Sequence, residues 1–185
     1  MSSSFITNKD KFLSDIINGI LPKTDAVDFL VGYFYYSGYV QLSENLKSKH
    51  IRILVGLDIE IQISKHVCEV ENFRQKLLSR GVLKEQYYSE FVKAFNDTDF
   101  LDTAEKIEQF KMFYAKILDG TLEIRKTLDP CHSKMYLFVY NESMNEGGEL
   151  PGVMITGSSN LSYQGMQGRL ELNARFNDKA DYDEG

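Results

Sequence analysis

The chain has 185 residues, 43% hydrophobic and 26% charged, with 21 basic against 27 acidic side chains and a net charge of -6. A chain of this length suits one domain that buries roughly two-thirds of its unfolded surface, and 12 Phe with 11 Tyr exclude a disordered polar tail. The acidic balance argues against a protein that coats nucleic acid by charge alone.

No stretch approaches the roughly 20 apolar residues of a membrane span. The start MSSSFITNKDKF lacks the apolar core of a signal peptide. Cys68 and Cys131 are too few for a disulfide scaffold and too far apart for a CxxC pair. The expectation is a soluble, cytoplasmic domain without a membrane partner.

In chain order, Phe12, Leu13, Ile16, Ile17 and Ile20 predict a helix over Lys9–Ile20, ended by Pro22. The apolar run Ala26–Phe34 predicts a buried strand. Ser37 and Gly38 open a second helix through Lys49, and Ile51–Leu57 reads as another buried strand. Strand, helix and strand make a βαβ unit, hence a parallel pair.

Ser64 starts a further predicted helix to Arg80, stopped by Gly81. Thr98 or Asp99 starts a longer one, with Phe100, Leu101, Ala104, Ile107, Phe110, Phe113, Tyr114 and Ile117 as a core stripe ending at Gly120. Four strands follow, over Thr121–Lys126, His132–Tyr140, Gly152–Thr156 and Arg169–Phe176, and a polar hairpin loop joins Tyr140 to Gly152. The fold class is α/β, with a mixed, largely parallel central sheet flanked by helices on both faces. Residues 1–177 form the domain, and 178–185 read as an acidic tail or the start of a linker to a downstream region.

Three short segments carry chemistry. In Cys131-His132-Ser133-Lys134, residues two apart on a strand share a side, so His132 and Lys134 converge while Ser133, Met135, Leu137 and Val139 turn away. An imidazole beside an ammonium is a poor core pair and fits an anion such as phosphate. Alone, His-x-Lys is a weak motif and reads more readily as two surface residues. Gly157-Ser158-Ser159-Asn160 follows an apolar strand, where open α/β sheets bind ligands, although a helix-capping turn has the same composition. In Arg169–Phe176 the polar residues Glu171, Asn173 and Arg175 alternate with apolar ones, so Glu171 is a candidate acceptor for the second N–H of His132. A solvent-facing strand would show the same pattern.

HSK, then GSSN, then Glu171 together resemble the HxK and GSxN signature of the phospholipase D superfamily. They are most similar to its metal-independent nucleases and restriction endonucleases. VGYFYYSGY, IRILVGLD, GSSNLSYQGM and LELN extend the likeness to the phospholipase D-like N-terminal domains of bacterial DEAD-box and related helicases. The resemblance implies an α-β-α sandwich and two-step phosphodiester exchange through a phosphohistidine on His132.

Lys134 and Asn160, with Ser158, Ser159 or nearby N–H groups, would hold the phosphate, and Glu171 would orient His132. No cofactor and no metal are implied. The family often carries an Asp five positions after the Lys, where this chain has Val139.

The chemistry needs two histidines. His50 and His66 are not followed by a Lys two residues on, so a homodimer sharing one active site is expected, with a second copy further along a longer chain as the alternative. The expected partner is nucleic acid, DNA ahead of RNA, with a possible downstream helicase region. A non-catalytic DNA-binding or docking module is the rival, and a lipid phosphodiesterase comes third. Cys131 is not expected to act as a nucleophile, because it faces away from His132. Tyr33, Tyr35 and Tyr36 are candidates for base stacking or for ordinary packing, and Arg125 and Lys126 for extra positive charge near the site.

Overall fold

The computed structural model of the chain describes residues 4–59, 104–148 and 150–184. The predicted helix from Ser64 to Arg80, the start of the long helix at Thr98 or Asp99, and the residues His66, Cys68, Phe100 and Leu101 lie outside them.

The described elements are β1 (Phe5–Ile6), α1 (Leu13–Ile20), β2 (Thr24–Phe34), α2 (Tyr36–Val40), α3 (Ser43–Leu46), β3 (His50–Ile59), α4 (Ala104–Asp119), β4 (Leu122–Lys126), β5 (Met135–Tyr140), β6 (Gly152–Gly157), β7 (Asn173–Phe176) and α5 (Lys179–Glu184). The strands form one sheet in the order β1-β7-β6-β5-β2-β3-β4.

The βαβ reading of the sequence holds, since β2 and β3 pair in parallel across α2 and α3. The sheet as a whole is mixed rather than largely parallel. Among the described residues only β2–β3 and β3–β4 are parallel, whereas β2–β5, β5–β6, β6–β7 and β1–β7 are antiparallel. Part of the reason is local: β5 and β6 are joined by residues 141–151, a hairpin connection too short for a crossover helix.

Alternation fixes the core. Val27, Phe29 and Val31 on β2, Ile51, Ile53 and Val55 on β3, and Tyr136 and Phe138 on β5 are buried in one cluster with Leu13, Ile17 and Ile20 of α1. Phe110, Phe113, Tyr114 and Ile117 of α4 join the same cluster, as their helical spacing predicts. Phe34 and Phe113 stack with ring centroids 6.4 Å apart, and Tyr36 and Tyr39 of α2 pack edge-on against Phe113. Each such side chain contributes about 1.5–3 kcal/mol on burial.

Lys116, on the last turn of α4, is buried and donates to the carbonyls of Lys47 and Lys49 at 3.1 and 2.7 Å. It thereby ties α4 to the entry of β3. The opposite row of side chains, Leu30, Leu54, Met135 and Leu137 with Asp28 and Arg52, borders a hollow of about 510 Å³.

Three boundaries differ from the sequence reading. The predicted helix over 37–49 is two short helices, and its break at Gln41 is held by Asn18 Nδ2 donating to the Gln41 carbonyl at 2.9 Å. β5 begins at Met135 and β7 at Asn173, so His132, Lys134 and Glu171 precede their strands instead of lying within them. Residues 179–184 form the helix α5, and Tyr182 packs against Gly152 of β6, where a Cβ would stand 2.4 Å from its ring.

One irregularity positions the site. Between Val31↔Val55 and Tyr33↔Asp58, the single residue Gly32 of β2 faces both Gly56 and Leu57 of β3. This bulge turns the Gly56 carbonyl toward Cys131, whose N–H donates to it at 3.0 Å. A Cβ on Gly56 would stand 1.8 Å from the Cys131 carbonyl oxygen, so only glycine lets the two backbones meet. Among the described residues no helix is long and apolar enough to cross a membrane.

Overpacking this contact in Gly56→Val is expected to cost about 1–3 kcal/mol. Urea unfolding followed by circular dichroism reads the loss, and an unshifted midpoint would show that residues 127–131 are not held by β3.

Candidate active site

The site lies where β2 outruns its neighbour. β5 starts opposite Leu30, so Val31, Gly32, Tyr33 and Phe34 of β2 continue beyond it. The loop after β6 crosses into that place. Tyr33 N–H donates to Asn160 Oδ1 at 2.9 Å, Tyr35 N–H donates to the Leu161 carbonyl at 2.9 Å, and Phe34 and Leu161 form a parallel bridge. Backbone groups that would pair with β5 in a longer strand are thus satisfied by the GSSN loop.

On the other side of this place, residues 131–134 lead into β5. Lys134 is 4% exposed, and its Nζ donates to the His132 carbonyl at 2.5 Å. The same Nζ stands 2.7 Å from Nδ1 and 3.0 Å from Nε2 of the His132 ring. The convergence expected from spacing by two is therefore present, although these residues precede the strand. Burial lowers the Lys134 pKa from its ordinary value, and the negative charge of Glu171 opposes that shift.

Beneath these groups lies Gly32. A Cβ there would stand 3.2 Å from Asn160 Oδ1, 3.4 Å from His132 Cδ2 and 3.5 Å from Lys134 Nζ. His132, Lys134 and Asn160 thus converge over a single glycine from two segments of the chain, 131–134 and the loop after β6. Because Asn160 Oδ1 accepts the Tyr33 N–H, its Nδ2 remains as a donor. An imidazole, an ammonium and an amide N–H around one small space suit an oxyanion.

The remaining predicted site residues divide. Ser158 Oγ donates to Glu171 Oε2 and accepts the Leu172 N–H at 3.0 Å. Glu171 is therefore held by Ser158; among the described contacts it makes no hydrogen bond to His132, contrary to the orienting role expected from the sequence. It acts on the cluster through its charge beside Lys134.

Ser159 is fully buried and does not face the site. Its Oγ accepts from Asn173 Nδ2 at 2.9 Å, its N–H donates to Asn173 Oδ1 at 3.3 Å, and its carbonyl accepts the Tyr136 hydroxyl at 2.9 Å. Ser159 is a fastening for the loop, not a phosphate ligand. Burial also raises the Tyr136 pKa, which keeps the phenol a donor.

Cys131 packs toward Gly56, and hydrogen bonding from Ser133 pulls its thiol below the ordinary value. Val139 pairs with Ala26 and Gly152 farther along β5, in the row of Met135 and Leu137. Arg125 is paired with Glu123 at 2.6 Å and borders the hollow, so it does not join the His132 cluster. His50 begins β3 opposite Ala26, far along the sheet from Gly32. Among the described residues no group of three or more His, Cys, Asp and Glu is gathered as a metal site.

Sequence reasoning gave no role to Gly32, to the Tyr33 N–H, to Asn173 or to Tyr136. A glycine inside the otherwise bulky run Phe-Leu-Val-Gly-Tyr-Phe was the available signal, since such a residue marks a close approach in a strand. Neither the comparison with protein-family models nor that with curated proteins finds a match for this chain.

Two measurements follow from this geometry. Asn173→Ala leaves the Ser159 groups buried without partners and is expected to cost about 1–3 kcal/mol in urea unfolding; an unchanged midpoint would mean that the loop is fastened elsewhere. Lys134 binds fewer protons folded than unfolded between its lowered pKa and the ordinary 10.5. Unfolding free energy therefore rises with pH across that window. The rise is expected to be steeper in the wild type than in Lys134→Met, as read by urea titrations at successive pH values.

Proposed function

We propose that this chain is a metal-independent phosphodiesterase of the phospholipase D type that acts on nucleic acid. The observation that supports it most is the convergence of His132, Lys134 and Asn160 over Gly32. The pattern HSK and GSSN resembles that superfamily in the same residues. On this reading the fold is the phospholipase D-like α-β-α sandwich, with helices on both faces of the sheet and a cytoplasmic setting.

In the proposed reaction a ring nitrogen of His132 attacks phosphorus, the P–N bond forms, and the P–O bond to the leaving alcohol breaks. A second imidazole gives a proton to that oxygen and then takes one from the water that hydrolyses the phosphohistidine. Lys134 Nζ and Asn160 Nδ2 donate to the oxygens where charge develops. Glu171, through Ser158 and its charge beside Lys134, keeps the ammonium in place.

The second imidazole is the His132 of a second copy, so the active form is a homodimer with a shared site. A downstream helicase region would deliver the polynucleotide. Holding of Glu171 by Ser158 instead of His132 favours one rival, a weakly catalytic or non-catalytic DNA-binding module.

Hydrolysis of bis(p-nitrophenyl) phosphate and of DNA in EDTA tests the reading. Activity is expected to survive the chelator and to vanish in His132→Ala. Lys134→Met is expected to lose about 10²–10³-fold, and Gly32→Val at least as much while keeping its circular dichroism spectrum. DNA binding without cleavage would support the module instead. Light scattering is expected to give a dimer, and a strict monomer that is fully active would refute the shared site.

A further inference from the structure

We propose that the groove beside His132 is a nucleobase subsite, and that it makes single-stranded polynucleotide the substrate. This rests on the phosphodiesterase reading above. The groove, of about 360 Å³, is bordered by Tyr33, Tyr35, Asn160, Gln164, Arg169 and Glu171. It shares Asn160 with the space over Gly32, and Tyr33 stands edge-on to the His132 ring with centroids 6.3 Å apart. A nucleotide whose phosphate lies at Lys134 and Asn160 therefore has its base beside these tyrosines.

The tyrosines are sorted by the backbone. Tyr36 and Tyr39 turn into the core, each 2% exposed, whereas Tyr33 is partly exposed and Tyr35 is 42% exposed. Tyr33 and Tyr35 are two apart in extended backbone, Tyr35 having φ -126° and ψ 135°, which sends both rings to one side. Their backbone is held by Asn160 and Leu161, so the rings are presented by a fixed edge.

The facing wall is equally fixed. The buried Asn8 donates through Nδ2 to the carbonyls of Gly165 and Arg169 at 2.8 and 3.1 Å, and accepts the Leu13 N–H at 2.8 Å. Gly165 lies against Asn160, where a Cβ would stand 2.2 Å from the Asn160 carbonyl oxygen. The Arg169 side chain is exposed and makes no hydrogen bond or ion pair with another described residue. Aromatic rings carried on a held backbone, beside an unengaged guanidinium and an amide, match the flat face and polar edge of a base. A base stacked in a duplex cannot enter beside its own phosphate without leaving the stack, so unpaired strands are favoured.

The test compares rates on one single-stranded 12-mer, the same strand in duplex, and the same strand with abasic sites flanking the scissile phosphate. Bis(p-nitrophenyl) phosphate serves as the baseless control. The wild type is expected to cleave the base-bearing single strand about tenfold or more faster than the abasic and duplex forms. In Tyr35→Ala the base-bearing and abasic rates are expected to converge, and Tyr35→Phe is expected to restore the gap. Equal rates on all three oligomers, with the control still hydrolysed, would overturn the subsite and leave the phosphodiesterase reading standing. Hydrolysis of neither control nor oligomers would overturn both.

Discussion

The hydrogen bond from Tyr33 N–H to Asn160 Oδ1 is the constraint on which the site depends. It exists because β5 begins opposite Leu30 and leaves the last residues of β2 without that neighbour. A strand end whose polar groups must be satisfied recruits the loop after β6, and the loop brings Asn160 over Gly32. The same early end of β5 lets residues 131–134 turn across the edge, where the bulge opposite Gly32 receives Cys131. Two chain segments thus meet above one glycine because a neighbouring strand is short. The arrangement is backbone geometry first and side-chain chemistry second.

Charge follows the same economy. The chain is acidic overall, and several of its exposed cations are engaged: Arg52 with Asp28, Arg125 with Glu123, and Lys47 with Glu44. Lys134 differs in being buried, with its ammonium against a carbonyl and an imidazole instead of a carboxylate. Burial of a cation without direct ion pairing costs stability. A negative net charge and a concentrated positive site are therefore compatible, and the first does not argue against phosphate chemistry.

Much of this was legible in the sequence. Alternation and helical spacing located β2, β3, β5 and the stripe of α4, because these elements bury one clean face. His132 and Lys134 come together as expected from their spacing by two, even though β5 starts after both. The same rule failed at Arg169–Phe176. Leu172 is 58% exposed while Asn173 is fully buried, because fastening the Ser159 backbone needs a polar partner inside. Tertiary need reversed the hydropathy there. The hairpin of β5 and β6 was legible from its polar loop, but the parallel share of the sheet was overestimated, because buried apolar strands look alike in parallel and antiparallel pairs.

The Asn8 brace has a consequence for the order of assembly. Its bond to Gly165 spans 157 residues, and the Tyr33–Asn160 bond spans 127. Contacts between partners so distant in the chain form slowly, because a long loop must close before they return any free energy. The parallel pair of β2 and β3 needs a far smaller closure. A chain halted before Gly165 contains both His132 and Lys134 yet lacks the surfaces that shape the cleft around them.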